Sequence, residues 1–126
     1  MVIVDTSIWI SLYRKENKPI SEFLWSLVSK NEAAVCGQIW VEFLGGFKDD
    51  RKRESYQNYF ENFMFLNTQY KAYVLAAQFL AHYPKLGSGD AIIAATAITE
   101  KTPLFSLDKD FKILIQHGLE LFDGNF

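Results

Sequence analysis

Short apolar runs alternate with longer stretches of helical periodicity along the chain, and this alternation restricts the possible fold more than any other feature. The runs are VIV (2–4), AAVC (33–36), FMFL (63–66), PLFSL (103–107) and LELF (119–122). Nearly continuous apolar runs of this length are typical of strands that are buried on both faces. Strands that alternate with helices predict an α/β domain with a mainly parallel central sheet.

The stretches between these runs predict helices. Apolar residues recur three and four positions apart in 20–28, 56–63 and 73–80, and two further helices are expected in 37–46 and 88–100. The hydrophobic content of 49% is sufficient for a core, and the chain has no internal repeat or linker. We therefore expect a single domain over residues 1–126.

Composition excludes several classes of protein. A net charge of -2 argues against nucleic-acid binding by overall electrostatic attraction, so any such contact must be local. Cys36 is the only cysteine and lies in an apolar run, which predicts a buried free thiol and fits a reducing cytoplasm. There is no leader pattern and no apolar stretch of about 18 residues, so we expect a cytoplasmic protein without a membrane segment.

Three aspartates stand where a strand or loop passes into a helix: Asp5, Asp90 and Asp108. Each could simply cap its helix, because Asp accepts hydrogen bonds from the free N–H groups of the first turn. Parallel sheets, however, gather such junctions at the carboxyl edge of the sheet, where ligands bind. We therefore expect the three carboxylates to converge, with Asp110 two residues beyond the last of them.

A cluster of carboxylates needs a cation or shared protons. Two carboxylates about 4 Å apart repel by roughly 4 kcal/mol at an effective dielectric constant of 20. Oxygen-only ligands suit Mg²⁺ or Mn²⁺ rather than zinc, and the two histidines, His82 and His117, have no metal-ligand spacing. The hydroxyls of Ser7 and Ser106 could hydrogen-bond the carboxylates. Glu42, on a largely apolar predicted helix, also needs water or a partner.

Four segments together resemble a known family. They are IVDTSIWI at the start, the helix that contains Glu42, GDAIIAATAI from Gly89, and LFSLDKDF near the end. In this order, across almost the whole chain, they resemble the PIN-domain ribonucleases, and most closely the VapC-type toxins of toxin–antitoxin systems.

The resemblance implies a three-layer α/β/α sandwich and a Mg²⁺- or Mn²⁺-dependent endoribonuclease. It also implies a homodimer that is neutralised by a cognate antitoxin. It assigns the catalytic acids to Asp5, Glu42, Asp90 and Asp108, of which Asp5, Asp90 and Asp108 would bind the metal. Ser7, Ser106 and Asp110 would support them, and Asp110 could share or take the role of Asp108.

Other interpretations stay open at this stage. A receiver-like phosphoacceptor domain also clusters acids beyond parallel strands, and a non-catalytic PIN-like module could bind RNA without cleaving it. The basic segment 47–54 could contact RNA phosphates or form a solvated turn. The aromatic residues of 56–63 could be core or a partner surface. All three tryptophans, Trp9, Trp25 and Trp40, are expected in the core.

Overall fold

The structure is a computed structural model and describes residues 1–122; the last four residues of the predicted domain lie outside the described part. Four strands and six α-helices are followed by one 3₁₀ helix, in that part of the chain. The strands are β1 (Val2–Val4), β2 (Ala33–Cys36), β3 (Met64–Leu66) and β4 (Leu104–Phe105). The helices are α1 (Thr6–Arg14), α2 (Lys18–Ser29), α3 (Gly37–Leu44), α4 (Asp50–Phe60), α5 (Tyr70–His82), α6 (Ser88–Thr99) and the 3₁₀ helix (Lys109–His117).

The strands form one sheet in the order β3-β2-β1-β4, and every pairing is parallel. All residues of β1, β2 and β4 are buried. Successive strand residues point to opposite faces, so helices must cover both faces of the sheet. The predicted α/β/α sandwich with a mainly parallel sheet is therefore confirmed, and the carboxyl ends of its strands meet at one edge.

Three predicted strands are shorter in the structure than in the sequence pattern, and the first of them, the run 63–66, forms only Met64–Leu66. The run 103–107 contributes only Leu104–Phe105. Just beyond this strand, two backbone N–H groups bond to serine side chains instead of a neighbouring strand: Leu107 N donates to Ser7 Oγ and Asp108 N donates to Ser106 Oγ. The run 119–122 forms only an isolated parallel bridge between Leu121 and Leu104. The sheet is therefore four strands wide, with a single-residue extension beyond β4.

One tryptophan prediction is wrong. Trp9 is completely buried and its indole Nε1 donates to the Val4 carbonyl at 3.0 Å, as expected for a core residue. Trp25 is 47% exposed, because the buried stripe of α2 runs through Ile20, Leu24 and Leu27 and leaves Trp25 at its margin. Cys36 is buried and free, as predicted. Within the described residues, no helix is both long and apolar enough to cross a membrane.

Candidate functional site

Asp5 lies at the carboxyl end of β1, and two serines hold its side chain. It is 4% exposed, and Oδ2 accepts hydrogen bonds from Ser7 Oγ at 2.8 Å and Ser106 Oγ at 2.7 Å. The same two hydroxyls accept the backbone N–H groups of Leu107 and Asp108. One small network therefore joins the start of α1 to the loop after β4 and positions that loop beside Asp5.

Burial and hydrogen bonding have opposite effects on the pKa of Asp5. Burial raises the pKa above its ordinary value of 3.8, because a charged carboxylate loses hydration in the protein interior. The hydrogen bonds from Ser106 and Ser7 favour the charged form and oppose this rise. Burial has the larger effect. Both serines are therefore donors to this carboxylate.

Asp90, Asp108 and Asp110 form the tightest group of acids in the described part of the chain. One carboxylate oxygen from each lies within 4.8 Å of the other two. Asp90 stands in the first turn of α6, and the other two belong to the loop and first turn that follow β4. Asp5 is not one of these three, although its charge acts on Asp90.

The pKa of Asp90 is raised from 3.8 to about 6. Burial is the largest cause, and the charges of Asp108, Asp5, Glu42 and Asp110 add to it in that order. The four other acids that the sequence analysis considered therefore all act on this one carboxyl group. Unlike a capping aspartate, Asp90 sits among like charges, and the N-cap position of its helix belongs to Gly87.

Asp108 has two roles in the structure. It is the N-cap of the 3₁₀ helix, and its Oδ1 accepts a hydrogen bond from Asp110 N at 2.9 Å. It also contributes a carboxylate oxygen to the group with Asp90 and Asp110. The capping and clustering interpretations of this residue are therefore compatible.

Glu42 is exposed on α3, and two polar side chains hold it. Thr6 Oγ1 donates to Oε1 at 3.0 Å, and Gln38 Nε2 donates to Oε2 at 2.7 Å. The sequence analysis did not select Thr6 or Gln38. Gln38 could have been found, because it precedes Glu42 by four residues and shares its helix face. Thr6 follows Asp5 directly, but its contact with α3 depends on the tertiary fold.

A glycine allows Glu42 to approach α6. A Cβ atom on Gly89 would overlap Glu42 Oε2 and lie 2.9 Å from Gln38 Nε2. We expect Gly89→Ala to fold, because alanine favours a helix and both obstructing groups are the ends of flexible side chains. The Glu42 carboxylate would be displaced, and the rate of any cleavage that uses it should fall by about 10-fold to 100-fold.

Gly87→Ala is the matched control, because its Cβ would meet only Asp90 Oδ2 at an ordinary 3.8 Å. The double variant Gly89→Ala with Glu42→Gln tests whether the effect of Gly89→Ala acts through Glu42. If the glycine acts through Glu42, the double variant should be no slower than Glu42→Gln alone. Additive losses would show that Gly89 matters for another reason.

The cluster of Asp90, Asp108 and Asp110 fits a small divalent cation. All donors are oxygens, which Mg²⁺ and Mn²⁺ prefer. Oxygens bound to one Mg²⁺ are at most about 4.2 Å apart, given bond lengths of about 2.1 Å. The three carboxylate atoms already lie within 4.8 Å of one another. A cation would also relieve the repulsion that raises the pKa of Asp90.

Comparison with known proteins agrees with this architecture. The family model described as PIN domain matches residues 2–114. No curated protein sequence matches the chain.

Several solved structures have a similar fold. One is VapBC2 from Rickettsia felis bound to a DNA fragment from their promoter, with a TM-score of 0.76 and 20% identity over 98% of this chain and 100% of that one. A toxin–antitoxin complex from Klebsiella pneumoniae has a TM-score of 0.74 and 24% identity over 88% and 90% of the two chains. Mycobacterium tuberculosis VapC20, a Sarcin-Ricin loop cleaving toxin, has a TM-score of 0.72 and 16% identity over 90% and 94%. At these identities the similarity is one of fold.

Proposed function

This chain belongs to the PIN domain family, and on that premise we propose that it is a metal-dependent endoribonuclease and the toxin of a toxin–antitoxin pair. The observation that carries the nuclease proposal is the group of three carboxylates from Asp90, Asp108 and Asp110, beside Asp5 and Glu42, at the carboxyl edge of the sheet. The family assignment replaces the receiver-like alternative. A non-catalytic RNA-binding module remains the second candidate, and a cleavage assay separates the two.

The proposed roles follow from the surroundings of each side chain. Asp90, Asp108 and Asp110 would hold Mg²⁺ or Mn²⁺, and Asp5, which the serines orient, would complete the negative site. When bound, such an ion neutralises phosphate charge and favours ionisation of water. Glu42 lies outside the group of three and is exposed, and each of its carboxylate oxygens has a second lone pair, so it would accept a proton from an attacking water. Thr6 and Gln38 would keep it in position.

The first prediction from this proposal concerns the metal. Purified protein should cleave RNA when Mg²⁺ or Mn²⁺ is added and should stop when EDTA is added, because carboxylates alone repel phosphate. Gel analysis of a transcript that contains stems and single-stranded loops measures this, with Asp90→Asn as the inactive control. Binding without cleavage under both metals would favour the non-catalytic module. Cleavage that EDTA does not reduce would remove the metal from the mechanism.

We further propose that an antitoxin covers the surface between α1, α2 and α4. A groove of about 660 Å³ lies there, and its lining includes Tyr13, Trp25, Tyr56 and Tyr59. Trp25 and Tyr13 are 47% and 42% exposed, so a partner could bury a considerable apolar area. Of the aromatic residues of 56–63, Phe60 is completely buried in the core, whereas Tyr56 and Tyr59 line the groove and would have the partner-surface role that the sequence left open. The proposed surface is also consistent with the toxin–antitoxin complexes of similar fold.

The second prediction is that expression of the chain alone arrests growth and that co-expression of the product of a short neighbouring reading frame restores it. Trp25→Ala should remain toxic but need about 10-fold more partner for neutralisation, since it removes a large apolar contact without touching the acids. Tyr70→Ala, another exposed aromatic but outside the groove, is the control. Harmless expression of an active protein would contradict the toxin role.

A homodimer in the cytoplasm completes the proposal. A second apolar surface is formed by the edge strand β3 with α3 and α5, where Val41, Phe65 and Tyr73 are 67%, 45% and 51% exposed. An exposed edge strand with apolar neighbours is a surface that proteins commonly cover. A second copy of the chain would cover it without blocking the antitoxin groove.

A further inference from the structure

Two grooves reach the acidic site, and each contains lysines. A groove of about 390 Å³ is lined by Glu42 together with Lys48 and Lys52. A second groove, of about 620 Å³, is lined by Asp110 together with Lys85 and Lys109. Each groove therefore begins at an acid of the site and continues into positive charge.

The order of the strands places these grooves on different sides of the site. Glu42 belongs to the helix after β2, and Asp110 follows β4, while β1 and Asp5 lie between them. Two strand spacings separate β2 from β4, which is about 10 Å. A ligand that occupies both grooves must therefore cross the group of carboxylates.

The lysines are available for a ligand. In the basic segment 47–54, Arg53 is used within the fold, since it pairs with Asp50 and donates to the Phe47 carbonyl. Lys48, Lys52, Lys85 and Lys109 are exposed, and none of them forms an ion pair with another residue of 1–122. Four cations around a site that is itself strongly negative indicate a ligand with several negative charges.

The groove beside Asp110 also has apolar walls. Tyr83 and Ile113 line it, and the Tyr83 hydroxyl is fixed by hydrogen bonds with His117 Nε2 at 2.6 Å and Gln116 Nε2 at 3.2 Å. A fixed aromatic ring beside lysines suits a base and its phosphate, because bases stack on aromatic rings while cations bind the backbone. A groove of about 620 Å³ is too small to hold a double helix, whereas a single strand would fit.

We propose that a single RNA strand crosses the acidic site from one groove to the other, with Lys48 and Lys52 holding phosphates on one side and Lys85 and Lys109 on the other. This inference rests on the proposed nuclease function and adds the path of its substrate. It explains how a chain of net charge -2 would bind a polyanion across a group of carboxylates. The carboxylates repel RNA, and the flanking lysines and the metal compensate locally.

The test is the salt dependence of RNA binding. All proteins carry Asp90→Asn so that the probe is not cut, and the probe is a fluorescein-labelled oligouridine of about 12 nucleotides, within the usual site sizes of single-strand binders. Fluorescence anisotropy in Mg²⁺ gives the slope of log affinity against log salt. Each phosphate contact on a single strand contributes about 0.7 to that slope.

We expect each of two double variants, one for each groove, to reduce the slope by about 1.4. They are Lys48→Ala/Lys52→Ala and Lys85→Ala/Lys109→Ala. The control is Lys30→Ala/Lys101→Asn, which removes two charges from the amino edge of the sheet, ahead of β2 and β4; asparagine suits the positive φ of Lys101. An unchanged slope in both groove variants, or a change in only one, would overturn the crossing path.

A separate assay keeps the two proposals apart. Cleavage is measured with the lysine variants in the wild-type background, where KM should rise and kcat should stay within about twofold, because the lysines bind remote phosphates. If the wild type cleaves RNA but the lysine variants do not change the salt-dependence slopes, the nuclease proposal stands and the proposed RNA path is wrong. If both groove variants change the slope but the wild type cleaves no RNA, the proposed RNA path stands and the nuclease proposal is wrong.

Discussion

Asp90→Asn is expected to raise the melting temperature of the metal-free protein and to remove most of its RNA cleavage. The wild-type carboxyl group has a pKa of about 6, against an ordinary value of 3.8, because it is partly buried among other acids. At neutral pH it is charged in an environment that disfavours the charge. A neutral side chain of the same shape relieves this repulsion, but it also removes a proposed metal ligand.

The sign of the pH dependence follows from the raised pKa. Between about pH 4 and pH 6 the folded protein holds a proton on Asp90 that the unfolded chain releases. Stability from this group is therefore present at low pH and is lost as the pH rises through about 6. Asp90→Asn should flatten this part of the stability profile, which thermal melts across that pH range in EDTA would measure.

The size of the effect is modest for stability and large for activity. The full change in pKa corresponds to roughly 3 kcal/mol, and because Asp90 is only partly buried, screening by solvent reduces this to about 1 kcal/mol. That is a rise in melting temperature of about 3–6 °C for a chain of this size. Loss of a metal ligand should lower cleavage by about 100-fold or more, as loss of one preorganised electrostatic group commonly does.

Added Mg²⁺ completes this test. It should raise the melting temperature of the wild type more than that of Asp90→Asn, because a ligand that binds only the folded state stabilises it. Asp50→Asn is a matched control, since Asp50 also stands in the first turn of a helix but lies outside the site. If Asp90→Asn and Asp50→Asn respond to Mg²⁺ as the wild type does, Asp90 is not a ligand.

Asp108→Asn should cost more activity than Asp110→Asn. Asp108 directly follows the short strand and loop that Ser106 orients, and it is half-buried, whereas Asp110 is exposed. Asparagine caps a helix about as well as aspartate, so Asp108→Asn keeps the cap on the 3₁₀ helix and removes only the charge. We expect a loss of about 100-fold for Asp108→Asn and about 10-fold for Asp110→Asn.

Cleavage rates at saturating Mg²⁺, with melting curves as the check on folding, measure this difference. Asp108→Ala serves as a comparison, because it removes the cap as well and should also lower stability by about 1 kcal/mol. The opposite order of activity between the two asparagine variants would give Asp110 the larger part in holding the metal.

The acidic site shows where sequence reasoning reaches its limit. Asp5, Asp90 and Asp108 could be placed at one edge because parallel strands gather their carboxyl ends there. Their separate surroundings could not be predicted. The serines bind Asp5, whereas Asp110 joins Asp90 and Asp108, and that division depends on how the loop after β4 turns. The contact of Glu42 with Thr6 could not be predicted either, because it joins the start of α1 to α3.

The sequence by itself determined the order of strands and helices, the parallel sheet and the edge at which the acids gather, because these follow from local periodicity and the geometry of parallel connections. Only the tertiary structure decided where the last strands end, which tryptophan is exposed and which acids touch. Strand β4 ends at Phe105, and just beyond it Leu107 N donates to Ser7 Oγ, a side chain distant in sequence, instead of to a neighbouring strand. Contacts of this kind join residues about 100 positions apart, and no local pattern encodes them.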